Sequence, residues 1–281
     1  MLPNFPFKPL NNKPEPLGPE EEWHPEPKSA DGNKEIADAH LTKGQLHAAI
    51  TRYKKAAHMD NDPAHRTDLG DAYAFAEMPI KAMQQYKKAI KSNPNRPEGH
   101  FSLAEVYVRY GKWQAAAVEY LRAVELAPNN AYYRYKLAHA YIQAGCKEDA
   151  IEHMEVAVSL CSKDAFYHFE LATLYADVRQ DRAAVNEMEH AAALVPDDYY
   201  VARLAMLYAR VEEFEKSADM YREAIRLSPR KLAYHCLLGD IYHRLGYQAR
   251  AESQYGEASE IDSYEADFVE RARRITLGGI W

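Results

Sequence analysis

The fold class predicted by this sequence is an all-α solenoid of seven stacked helix pairs. Three observations predict it. An alanine–aromatic–alanine signature recurs at a near-constant interval along the 281 residues. A leucine, a small residue and a tyrosine precede that signature at a fixed distance. Glycine, proline and asparagine punctuate the intervals between them. A period of this length, repeated this often, is the mark of a repeat array.

The first signature runs Ala49/Tyr53/Ala56, Ala82/Tyr86/Ala89, Ala116/Tyr120/Ala123 and Ala150/Met154/Ala157, then Ala184/Met188/Ala191, Ser217/Tyr221/Ala224 and Ala251/Tyr255/Ala258. Its starts are 33, 34, 34, 34, 33 and 34 residues apart. Offsets of four and three place the members on one helical face. Nine residues before six of these starts stands Tyr73, Tyr107, Tyr141, Tyr175, Tyr208 or Tyr242. Four residues before each of those lies a leucine followed by Gly or Ala, from Leu69-Gly70 to Leu238-Gly239. Each unit therefore holds two helices. Gly44, Gly111, Gly145 and Gly246 mark the turn within a unit, as helix C-terminal stops do. Pro94, Pro128, Pro196 and Pro229 close the second helix. Small residues at the crossings let paired helices approach, while Tyr and Leu fill the space around them. No unit can bury its own face, so stacking supplies stability.

The pattern Leu-Gly/Ala-x-x-Tyr, Gly, Ala-x-x-x-Tyr-x-x-Ala, Pro resembles the tetratricopeptide repeat over residues 30–263. The first unit departs most, with Ile36, Ala37 and His40 in place of the Leu-Gly-Tyr set. Glu77, Arg179 and Glu212 stand where other units have the turn glycine. The resemblance implies a right-handed solenoid whose first helices line a concave groove. It places Phe101, Glu105, Val108 and Arg109 there, then Tyr132, Tyr135, His139, Ile142 and Gln143. It continues with Phe166, Phe169, Thr173 and Asp177, then Tyr199, Met206 and Arg210, and last Cys236, Asp240, His243 and Arg244. An aromatic centre with a charged rim is the anatomy of a peptide- or helix-binding surface; packing between repeats is the other reading of these rings. A second row, Tyr133, Tyr167, Tyr200 and Tyr234, reads as inter-repeat packing. The carboxylate clamp of some family members is not visible, because Asp38 follows Lys34 where Asn would be needed.

The ends differ from the array. Residues 1–29 form a separate arm, in which Pro3 to Pro27 contribute eight of the fifteen prolines. Such density excludes helix and central strand and favours an extended chain. Phe5, Phe7 and Trp23 punctuate it, so it is either a solvated tail or a docking arm. Residues 264–281 hold an expected capping helix and an apolar tip. Asp262-x-x-Glu265 resembles a capping box, and Phe268, Ala272 and Ile275 form one stripe. Ile280 and Trp281 either fold back on the cap or anchor in another subunit.

Composition narrows the function. Lysine and arginine number 35 against 42 acidic residues, a net charge of −7. That balance argues against nucleic-acid binding and electrostatic membrane attachment. No apolar run reaches the roughly 18 residues of a membrane span, and the start lacks a secretory signal. Cys146, Cys161 and Cys236 offer no disulfide framework, which suits a cytoplasmic location. Phosphate-loop, dinucleotide, zinc-protease and nucleophile-elbow motifs are absent. His153-Met154-Glu155 lacks the P-C-x-x-C that would make it a deaminase signature. Cys236, Asp240 and His243 share a helix face, but no second cluster completes a metal set. No enzyme activity, cofactor or metal is expected. The expected function is a scaffold or adaptor binding protein segments in the aromatic groove. The alternative is a structural subunit or assembly factor of a larger complex, soluble or membrane-associated, held by its arm and tip.

Overall fold

The computed structural model describes residues 27–60 and 62–262. The expected arm up to residue 26 and the expected capping helix and tip at residues 264–281 lie outside them. Among the described residues there are fourteen α-helices and no strand. They are α1 (Ala30–Thr42), α2 (Leu46–Met59), α3 (Pro63–Phe75), α4 (Pro79–Ser92), α5 (Pro97–Arg109), α6 (Trp113–Leu126) and α7 (Ala131–Ala144). They continue as α8 (Lys147–Leu160), α9 (Ala165–Asp177), α10 (Asp181–Leu194), α11 (Asp198–Arg210), α12 (Phe214–Leu227), α13 (Leu232–Arg244) and α14 (Gln248–Ile261). Each odd helix packs most closely on the even helix after it, and each even helix makes a smaller contact with the next odd one. This is a solenoid of seven helix pairs.

The crossings explain the alanine period. Ala49, Ala82, Ala116, Ala150, Ala184, Ser217 and Ala251 are all 0% exposed. The single hydroxyl in that row is satisfied: Ser217 Oγ donates to the Ala205 carbonyl at 2.7 Å. Beside them, Tyr53, Tyr86, Tyr120, Met154, Met188 and Tyr221 are buried. At Gly70 and Gly239 the following ring packs so close that a Cβ would overlap Tyr86 or Tyr255.

The turn inside every unit has one geometry. Among the described residues seven adopt positive φ: Gly44, Gly111, Gly145 and Gly246, and also Glu77 (55°), Arg179 (65°) and Glu212 (63°). In each case the next residue returns its N–H to a carbonyl five residues back, as Gln45 does to His40 and Glu213 to Tyr208, both at 2.9 Å. The left-handed residue itself bonds three back. These are the two bonds of a Schellman motif. The three non-glycine residues keep that turn despite the steric penalty of a Cβ there. The bonds and the packing of the pair outweigh the local strain.

The turns between units are built differently. Asp62, Asn130, Asp164 and Asp197 cap α3, α7, α9 and α11 through their side chains. His100, His168 and His235 bind the inter-unit loop. Their Nε2 atoms face the carbonyls of Pro94, Ser162 and Pro229 at 3.3, 3.1 and 3.1 Å. Their Nδ1 atoms face Glu119, Glu187 and Gln254 on the paired helix.

Two stability outcomes follow. Ala116→Phe overpacks a sealed crossing and lowers stability by about 1–3 kcal/mol, read from denaturant or thermal melts; an unchanged melt would refute the crossing. Glu212→Gly relieves a left-handed residue and raises stability by about 1 kcal/mol, measured the same way.

Candidate functional site

The odd helices meet one another through aromatic rings. From α5, Phe101 stacks on Tyr133 of α7 at 4.7 Å and meets Tyr132 at 5.7 Å. Tyr135 of α7 meets Phe166 and Tyr167 of α9 edge-on at 5.1 and 6.2 Å. Phe169 of α9 meets Tyr199 and Tyr200 of α11 at 5.5 and 5.3 Å. A ladder of rings thus runs across four successive units. Its outer edge reaches solvent, with Tyr132 41% and Tyr199 49% exposed. Phe101, Tyr135, Phe166 and Phe169 are half-buried. Tyr133, Tyr167 and Tyr200 each reach back to the preceding unit, and Tyr234 does so through a 2.7 Å bond to Asp198.

The charged residues expected beside this ladder divide into two kinds. Glu105 accepts the Tyr120 hydroxyl and pairs with Lys136 at 2.7 Å. Arg109 donates to the Ala74 carbonyl at 2.9 Å. Arg210 donates to the Ala176 carbonyl at 2.9 Å and pairs with Asp181. Ala74 and Ala176 lie in the last turns of α3 and α9, so each arginine satisfies a helix C-terminal carbonyl of the unit before it. Asp177, by contrast, is exposed at the end of α9. His139 sits edge-on to Trp113 at 6.0 Å, and burial, aided by Lys136, holds its imidazole below the ordinary range. Burial and the nearby Glu170 charge push Tyr135 up to about 12.

The sequence reading did not isolate the carboxylate–tyrosine pairs behind this face. Tyr53 donates to Asp38, Tyr86 to Asp71 at 2.6 Å, Tyr120 to Glu105 and Tyr255 to Asp240 at 2.9 Å. The signal was present as a constant offset of 15 residues. In the fourth and fifth units, where Met154 and Met188 replace tyrosine, His139 and Thr173 replace the acid. Glu170 also went unremarked, because it lies one residue beyond the expected aromatic position at Phe169.

Among the described residues no group of three or more His, Cys, Asp or Glu is placed to hold a metal ion. Cys236 is buried, Asp240 is engaged by Tyr255, and His243 is exposed beside Gln248 at 3.1 Å. No described helix is long and apolar enough to cross a membrane. Phe5, Phe7, Trp23, Ile280 and Trp281, the expected docking residues, lie outside the described residues.

Comparison with known proteins agrees with this architecture. A tetratricopeptide-repeat family profile matches residues 67–131 and 202–266, and a second matches 119–152. Together they span more than half of the chain. No curated protein matches it. Among solved structures, MamA from Desulfovibrio magneticus RS-1 is 24% identical, with a TM-score of 0.54 over 60% of this chain and 96% of its own. PilF of Pseudomonas aeruginosa is 19% identical, with a TM-score of 0.57 over 73% and 94%. YrrB, a TPR protein with an unusual peptide-binding site, is 17% identical, with a TM-score of 0.56 over 66% and 97%.

One titration is built into this face. Asp71 lines an open cavity of about 390 Å³ between α1, α3, α4, α5 and α7. Burial raises its carboxyl to about 6, with Asp68 adding to the rise against the Tyr86 and Ser102 hydroxyls. Unfolded, it titrates near about 3.9. Between these values the folded chain holds the extra proton, so stability falls as pH rises through that window. Asp71→Asn mimics the protonated acid. It should raise stability at about pH 7.5 by on the order of 1–3 kcal/mol and do little at about pH 4, in melts across pH.

Proposed function

Because the chain belongs to the tetratricopeptide-repeat family, we propose that it is a non-catalytic scaffold that holds partner-protein segments on the aromatic ladder of α5, α7, α9 and α11. The observation that carries this reading is the continuity of the ladder. Rings from four units adjoin, yet Tyr132 and Tyr199 keep large exposed areas. Exposed, rigid aromatic rings lose little entropy on binding and bury much apolar surface, which suits them as anchors. Asp177 is the rim charge open to a partner, and rim charges tune selectivity more than affinity. Glu105, Arg109 and Arg210 act indirectly in this scheme, by holding neighbouring units in register. Peptide binding by YrrB agrees with it. The three cysteines are unpaired, and the setting we propose is the reducing cytoplasm.

The test is capture of partners from native lysate by the intact chain and by Tyr135→Asp/Phe169→Asp. Loss of partners from that variant, at unchanged helicity, is the expected result. Truncating a central anchor commonly costs about 2 kcal/mol or more, roughly 30-fold in affinity. Retention by this variant, with loss from a chain lacking residues 1–27 and 276–281, would instead make the protein a subunit held by its ends.

A further inference from the structure

The aromatic face carries one half-buried carboxylate that the fold does not use. Glu170 follows Phe169 on α9 and is half-buried. It forms no hydrogen bond or ion pair with any described residue, and burial alone pushes its carboxyl above the ordinary range. It sits on α9, whose rings Phe166 and Phe169 meet Tyr135 of α7 and Tyr200 of α11, and its charge bears on both tyrosine hydroxyls. Asp164 and Asp197, which cap α9 and α11, add negative charge at Tyr200. A half-buried carboxylate without a partner is costly, and a cation delivered to it recovers that cost.

The chain shows twice what completes such an arrangement. Lys136 lies 2.7 Å from Glu105 and 5.9 Å over the Tyr132 ring. Lys231 pairs with Asp198 and lies 5.3 Å over Tyr234. In both, an ammonium joins a carboxylate of one unit to a tyrosine of the next. At Glu170 the carboxylate and the tyrosines are in place, and no described lysine or arginine pairs with them. We propose that Glu170, flanked by Tyr135 and Tyr200, is the specificity site for a lysine or arginine side chain of a partner peptide. The proposal rests on the reading that the aromatic face takes protein segments. The peptide's neighbouring apolar residues pack on Phe166 and Phe169, and its cation enters the acidic gap.

The experiment selects random displayed peptides on the full chain, then measures a synthesised consensus peptide by calorimetry. The expected winners share a Lys or Arg at a fixed spacing from an aromatic or aliphatic residue. Glu170→Gln should weaken the consensus peptide about tenfold, the scale of one charge-assisted contact. Norleucine in place of the peptide's cation should cost the same against the unaltered chain and nothing more against the variant. The measurement against the unaltered chain does not depend on how the variant folds. Winners lost by Tyr135→Asp/Phe169→Asp but lacking a shared cation, or indifferent to Glu170→Gln, overturn the cation site and leave the groove. Winners indifferent to Tyr135→Asp/Phe169→Asp overturn both. Winners matching residues 1–26, which contain Lys8 and Lys13, assign the cation to this chain and overturn the partner assignment.

Discussion

Close approach of two helices at a small side chain is the contact on which every unit depends. The seven residues at this crossing are sealed from solvent, and six of them are alanine. Their size sets the distance between paired helices, and that distance decides which side chains fill the flanks. Tyrosine or methionine fits one turn further on, while leucine comes across from the partner helix. Because each pair buries only part of its surface, the next pair must cover the remainder. The odd helices are brought side by side as a consequence, and their rings meet.

Charge is distributed by the same logic. Four carboxylates on the odd helices, Asp38, Asp71, Glu105 and Asp240, accept tyrosine hydroxyls within their own unit. Arginines at the ends of α5 and α11 reach back to helix-terminal carbonyls of the unit before. These contacts hold register between units, and they remove several charged groups from any role at the surface. What the face has left to offer a partner is ring area, the exposed Asp177 and the half-buried Glu170.

Particular residues show how far the pattern could be read. The alanine period located all seven crossings, and Ser217 followed it despite its hydroxyl because the Ala205 carbonyl was available. The turn glycines were equally legible, yet Glu77, Arg179 and Glu212 take the same left-handed backbone. Local preference opposed that geometry, and the hydrogen bonds and packing of the helix pair prevailed. The aromatic positions of the face could be placed by family resemblance, whereas the commitments of Glu105, Arg109 and Arg210 could not. Those commitments join residues on different helices, most of them about a full repeat apart, and a single-helix pattern does not contain them.

Sequence by itself determined the helix pairs, their number and their turns, because each follows from spacing within about 34 residues. Tertiary structure alone decided which charged groups are spent inside the array and which remain open. That choice depends on contacts between neighbouring units, where distance and burial, rather than residue type, set whether a carboxylate already has its partner.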